Sequence, residues 1–363
     1  MKYKNLALVL ALGLSLSACG QKEDNKAEAP SNEPKTEESL DEPAKEENKD
    51  ESASSDSKAE ETVVYTSFYP IYNLTKQIAG DKMEVKSFTN LKAESHGWEP
   101  SAKDIAELSN SKLMFINGAG MEEWEDSLED STDIELVDTS EGLDLIKANH
   151  EDHDHEETDE DHEDEETHDH EEANEDHEHE EDAHEHNHGE FDPHTWLSPK
   201  NGLAQAKVIA DKLSQVDPAN KDYYMDNYQK IEDELNAMID EYSQKFEEAS
   251  NKNFLVNHKA FSYIARDFNL NQIALTSLTS TDDTDAKTLK EAAEKAKELN
   301  INTIFYEMGG SDKSAKTLAD EIGAETKPLN TLELATDEDL DNNKTYQELI
   351  RYNLEEIYKS LEK

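Results

Sequence analysis

The chain has 363 residues and carries 88 acidic against 35 basic side chains, a formal net charge of −53. That balance excludes a general nucleic-acid binder, which needs a basic face. A single cysteine, Cys19, excludes an intramolecular disulfide.

From the N-terminus, Met1-Lys2-Tyr3-Lys4 is a short basic start, and Leu6 to Leu16 is an apolar run too short to span a bilayer comfortably. Small residues then precede Cys19, so residues 1–18 read as a secretory signal. The segment resembles a bacterial lipoprotein signal, which implies that Cys19 becomes the mature N-terminus and carries a lipid anchor on the outer face of the cell membrane. No other stretch is long and apolar enough for a transmembrane helix. Residues 19–61 are rich in Glu, Asp, Lys, Ser, Asn and Pro, with Leu40 almost the only large apolar side chain. Such a segment cannot offset its ordering entropy and is expected to be a disordered acidic tether.

A first α/β lobe is expected over 62–218. Val63 to Phe68 reads as a buried strand, Ile71 to Ala79 as a helix ended by Gly80, and Ser101 to Ser109 as a second helix. Leu113 to Ile116 and Ile134 to Val137 read as further strands. Residues 150–188 interrupt this lobe. They hold no aliphatic side chain larger than alanine, so an exposed, mobile loop is expected. Residues 219–250 follow as a linker helix. Tyr224, Tyr228, Ile231, Leu235, Met238, Tyr242, Phe246 and Ala249 recur at steps of three and four. A second α/β lobe is expected over 251–363. It alternates strand Phe254–Val256, helix Ala260–Phe268, helix Ala286–Leu299, strand Ile301–Tyr306 and helix Ser311–Ile322 before Gly323. The fold class is α/β: two lobes joined by a long rigid helix, with a metal site in the cleft between them.

The histidines are rationed. Of fourteen, eleven lie in the acidic insert: His150, His153, His155, His162, His168, His170, His177, His179, His184, His186 and His188. The other three, His96, His194 and His258, each sit in a segment that reads as folded, where strand ends and helix starts meet. Ligands of open α/β sheets bind at the carboxyl ends of strands, and imidazole is the commonest ligand for late first-row metals. The three are therefore candidate metal ligands. Glu333 is the favoured fourth, after a short strand-like segment, with Glu307 next as a direct ligand or a group supporting one. Three imidazoles and one carboxylate suit tetrahedral zinc, whereas manganese wants more oxygen.

Four ordered motifs carry a family resemblance over about residues 62 to 360. They are Trp98-Glu99-Pro100-Ser101 behind the first histidine, Asp192-Pro193-His194-Thr195-Trp196-Leu197, His258-Lys259-Ala260-Phe261-Ser262-Tyr263, and Pro328 to Glu333. With them the chain resembles the zinc-binding lipoproteins of bacterial zinc-uptake ABC transporters, in the zinc/manganese (cluster A-I) solute-binding protein family. The resemblance implies a monomer that captures Zn²⁺ outside the membrane and delivers it to a permease and, through it, an ATPase. In manganese members the position of His258 is typically glutamate and an aspartate supplies the last ligand, so His258 and Glu333 resemble the zinc branch. Zinc members often carry an insert like 150–188, expected here to bind several ions weakly and pass them to the cleft. Thr331 departs from the proline common in relatives.

Three other readings compete with zinc transport, and the first is a manganese-binding homologue. A surface metal buffer or adhesin would use the insert as its working part. A zinc hydrolase would use three histidines and an open position, but the chain has no His-Glu-x-x-His helix, nucleophile elbow or Gly-rich phosphate loop, and no enzyme activity is expected.

Overall fold

The computed structural model describes residues 63–108, 111–148, 189–276 and 284–362. The signal segment, Cys19, the acidic tether and the eleven-histidine insert lie outside the described residues. Among those residues no helix is long and apolar enough to cross a membrane.

Two four-stranded parallel sheets follow each other along the chain. The first contains β1 (Val63–Thr66), β2 (Glu84–Ser87), β3 (Leu113–Ile116) and β4 (Glu135–Asp138), in the order β2-β1-β3-β4. The second contains β5 (Asn253–Val256), β6 (Asn271–Ala274), β7 (Thr303–Glu307) and β8 (Glu325–Leu329), in the order β6-β5-β7-β8. The same winding therefore occurs twice. Every pairing is parallel, for example Val64 beside Val85 and Ile304 beside Thr326. Parallel sheets need cover on both faces, and the central strands show it. Leu113 and Phe115 of β3 face one core while Met114 and Ile116 face a second. In β5, Phe254 and Val256 face the first core and Leu255 faces a third, built with Ala293, Ala296, Ala315 and Leu318.

The helices are α1 (Tyr69–Ala79), α2 (Ala102–Glu107), α3 (Glu125–Ser131), α4 (Pro199–Val216), α5 (Lys221–Glu248), α6 (Ser262–Asp267), α7 (Ala286–Glu298), α8 (Lys313–Ile322), α9 (Asp337–Asp341) and α10 (Tyr346–Leu361). Helix α5 is the expected linker: its 28 residues make a rod of about 42 Å at ~1.5 Å per residue. Tyr224, Tyr228, Ile231, Leu235, Met238, Tyr242 and Phe246 are all buried along one stripe. The stripe lies in a single hydrophobic core that also takes in Val64, Ile71 and Phe115 of the first lobe and Phe254, Phe305 and Leu354 of the second.

A second bridge was not anticipated from sequence. Helix α10 buries Tyr346, Leu349, Ile350, Leu354, Ile357 and Leu361, and it reaches back to α1. The Tyr346 amide donates to Asn73 Oδ1 (2.9 Å), and Asn73 Nδ2 donates to the Lys344 carbonyl (2.9 Å). Strands β2 and β6 and helices α3, α4 and α9 are likewise additions to the sequence reading. Elsewhere the differences lie at element ends. The ladder of β1 stops at Thr66, and α1 starts at Tyr69 rather than Ile71 with Pro70 in its first turn, where a missing N–H costs nothing. Gly323 ends α8 in the left-handed region (φ 76°), as a C-terminal glycine does.

Gly202 in α4 has no room for a side chain, because a Cβ there would run into the Tyr346 hydroxyl. That hydroxyl donates to the Trp196 carbonyl at 2.5 Å. Gly202→Ala is expected to cost about 1–3 kcal/mol by overpacking, read as a lower Tm of the metal-free protein, with Tyr346→Phe in the same background recovering part of the loss.

Candidate metal centre

Three of the four expected ligands are held on loops at the carboxyl ends of strands. His96 lies between β2 and α2, His258 directly follows β5, and Glu333 follows β8. His194 comes instead from the turn before α4, fixed by Pro193 before it and by a 3₁₀ turn over Thr195–Leu197 after it. Ser198 then caps α4, accepting from the Lys200 and Asn201 amides.

The structure brings all four side chains together: one ligand atom from each of His96, His194, His258 and Glu333 lies within 4.8 Å of the others. His96 Nε2 and His194 Nε2 are 3.1 Å apart, and Glu333 Oε1 lies 3.6 Å from the first and 3.5 Å from the second. The His258 ring packs edge-on to both, with centroids at 5.8 Å and 5.0 Å. His194, His258 and Glu333 are buried and His96 is partly exposed. Both oxygens of the Glu333 carboxylate are buried without a hydrogen-bond partner. A buried charge in that condition is costly unless an opposite charge answers it.

Each imidazole has a carboxylate nearby. Asp192 Oδ1 holds His194 twice, through the backbone amide (3.0 Å) and through Nδ1 (2.8 Å), which turns Nε2 toward Glu333. Tyr263 anchors that turn by donating to the Asp192 carbonyl (2.7 Å), and Asn117 Nδ2 donates to the Pro193 carbonyl (2.9 Å). Glu307 ends β7 with Oε2 at 3.6 Å from His258 Nδ1, while its Oε1 accepts from the Thr331 hydroxyl at 2.6 Å. Thr331, the departure from proline, thus supplies a hydroxyl that orients Glu307. Glu94 Oε1 accepts from the Ser95 amide (3.0 Å) and the His96 amide (3.2 Å), stiffening the His96 loop.

The Glu333 loop is held in an unfavourable backbone. Leu332 has φ 58°, a left-handed conformation that costs a β-carbon-bearing residue about 1–2 kcal/mol. Its surroundings over-determine it. The Leu332 amide donates to Asn330 Oδ1 (2.8 Å), and the Asn330 amide donates to Asn353 Oδ1 (2.8 Å). Trp196 Nε1 donates to the Thr331 carbonyl (2.7 Å). The strain aims Glu333 inward.

Electrostatically the groups divide. For His194, burial opposes the charged ring, but Asp192 and Glu333 outweigh it and push its pKa up to about 9. For Glu333, burial also opposes charge, yet His194 and His96 hold it well below the ordinary carboxylate value. Desolvation, with the Glu333 carboxyl beside it, pushes Glu94 up to about 8.

The sequence reading missed Asp192 and Glu94 as working groups. Asp192 stands two residues before a candidate ligand, a spacing that gives a side chain reach to the imidazole it precedes. Glu94 is one acid among many, and nothing in the chain distinguishes it.

The profile of the family described as zinc-uptake complex component A, periplasmic (ZnuA), matches residues 64–360. The high-affinity zinc uptake system protein ZnuA of Bacillus subtilis is 35% identical over 301 residues, covering 82% of this chain and 87% of the relative. The zinc-binding lipoprotein AdcA of Streptococcus pneumoniae is 31% identical over 300 residues, 81% of this chain but 54% of the relative, so the match spans about half of that longer protein. Among solved structures, the laminin-binding protein Lmb of Streptococcus agalactiae, described as bifunctional with adhesin and metal-transporting activity, superposes with a TM-score of 0.67. It is 30% identical and covers 83% of this chain and 99% of Lmb. The fold, the four converging side chains and these likenesses agree: the chain belongs to the zinc-uptake complex component A family, solute-binding components of zinc transport rather than enzymes.

Proposed function

We propose that this protein captures Zn²⁺ outside the membrane with His96, His194, His258 and Glu333 and presents it to a permease. The observation that carries this reading is the Glu333 carboxylate, fully buried, with no hydrogen bond of its own and facing three imidazoles. Zinc bonds of about 2.0–2.1 Å in a tetrahedron put ligand atoms roughly 3.3 Å apart. The 3.1, 3.5 and 3.6 Å separations here fit that figure. Asp192 fixes the tautomer of His194, and Glu307 supports His258. Three nitrogens and one oxygen favour zinc over manganese.

Cys19 is proposed as the lipid anchor and the folded body as a monomer, working with a membrane permease and its ATPase. AdcA, a relative, is named a lipoprotein. The insert is proposed as a weak zinc collector. The described residues on either side of it are pinned together by a Lys147–Phe191 antiparallel bridge and by the Ala148 amide donating to the Glu190 carbonyl (2.9 Å). The bridge stands three residues from His194, so ions gathered there stay at high effective concentration near the cleft. Lmb's description keeps an adhesin role open as a second reading for the exposed surface.

Three outcomes are expected. In competitive chelator titrations, His258→Ala abolishes tight zinc binding and Asp192→Asn weakens it about 10–100-fold; unchanged affinity in His258→Ala refutes the ligand set. Below pH 9 zinc must displace the His194 proton. Apparent affinity therefore rises with pH from 6 to 8, by about one decade per unit from this group alone, and calorimetry in buffers of different ionisation heat reads a released proton. Replacing residues 150–188 by a short glycine linker keeps one tight zinc and removes the weak ones, counted by elemental analysis.

A further inference from the structure

His194 is supplied by the chain of the first lobe and His258 by the second, yet one short helix grips the surroundings of both. Strand β5, the His258 loop and α6 (Ser262–Asp267) form one continuous run. The Ala260 amide donates to the His258 carbonyl (2.9 Å), and the Phe261 amide donates to Gln272 Oε1 on β6 (2.6 Å). Ile264, Ala265 and Phe268 sink into the shared core. Helix α6 is thus tied rigidly to His258.

Tyr263 and Asp267 stand four residues apart, on one face of α6. They hold the His194 turn at its two ends. The Tyr263 hydroxyl, on a wholly buried ring, donates to the Asp192 carbonyl (2.7 Å). The Asp267 carboxylate accepts from the Ser198 hydroxyl, and Lys200 Nζ donates to the Asp267 carbonyl (3.0 Å). Between those ends lie Asp192 Oδ1, which holds the His194 ring, and the 3₁₀ turn Thr195–Leu197. Tyr263 also carries the base of the insert. The Ile146 amide donates to its oxygen (3.2 Å), and the Arg266 guanidinium, 5.0 Å over its ring, donates to the Asp144 carbonyl. Burial raises the Tyr263 pKa, so the phenol keeps the proton it donates. A turn gripped both before and after its ligand leaves the His194 imidazole little freedom to drift from the His258 ring, whose centroid is 5.0 Å away.

We propose that α6 is a bracket that sets the separation of His194 and His258, with Tyr263 and Asp267 as positioning residues that touch neither the imidazoles nor the ion. The proposal rests on the zinc reading above and adds what fixes its geometry. Groups outside the ligand set orient the ligands and tune how well they hold a metal, and a site loosened by its supports binds poorly. The bracket puts ligands from two lobes on one rigid piece, so any adjustment between the lobes carries His194 with His258 rather than away from it.

Two variants release the bracket one end at a time. Tyr263→Phe removes one oxygen and keeps the buried ring. Asp267→Ala frees the Ser198 hydroxyl at a half-buried position. Each is expected to weaken zinc about tenfold in a competitive chelator titration of the full chain, run well below the Tm of the metal-free protein. Co²⁺ supplies a second readout. It takes the place of zinc, and its visible absorption is strong in a tetrahedral site and weak in a six-coordinate one. Both variants should lose part of that absorption as His194 drifts and water enters. A wild-type affinity or a wild-type Co²⁺ absorption in either variant overturns the proposal. That includes a variant in which the Tm alone falls, the result a merely structural role would give. If His258→Ala retains tight zinc, the ligand set itself is wrong. If it loses zinc while the two α6 variants bind as the wild type does, only the bracket fails.

Discussion

A carboxylate enclosed by protein, with neither oxygen hydrogen-bonded, is among the more expensive things a fold can hold. Glu333 is in that position, and much of the surrounding architecture exists to keep it there. Leu332 accepts a left-handed backbone, Asn330 and Asn353 lock the loop from behind, and the Trp196 indole pins it from the other side. Such strain persists only where neighbours over-determine it, and it collects at functional sites. Opposite it, His194 is fixed by Asp192 and His258 is backed by Glu307. The Glu333 carboxylate and the His194 imidazole each favour the other's charged form.

The sheets place these groups. Each lobe winds its four strands in the same order, so the carboxyl ends of both sheets carry loops that can meet. His96 is delivered by the first lobe and His258, Glu307 and Glu333 by the second, with His194 on the chain that leads into α4. Helix α5 and the return of α10 onto α1 fix how far apart those ends can be. The relative placement of four side chains is thereby set by one shared core rather than by a flexible hinge.

Much of this was legible in the residues. The α5 stripe follows a helical step along its whole length, and every expected position in the helix is buried. The three isolated histidines stood out because the folded part spends no others. Glu333 was legible by its place after a strand-like segment. The misses share a cause. Strand β2 has a single buried residue, Val85, among polar neighbours, and α10 mixes its buried face with enough charge to blur the period. Asp192, Glu94 and the φ of Leu332 gain their meaning from contacts between distant segments, which local pattern does not encode.

The shared core also bears on how the protein comes into being. Its apolar interior is assembled from β1 at one end of the folded chain and α10 at the other. Each lobe keeps a smaller core of its own, but the largest interior is shared, so heat or denaturant should dismantle both lobes in a single cooperative event. The burial of α1 in the first lobe is complete only with α10, the last helix of the chain, in place against it.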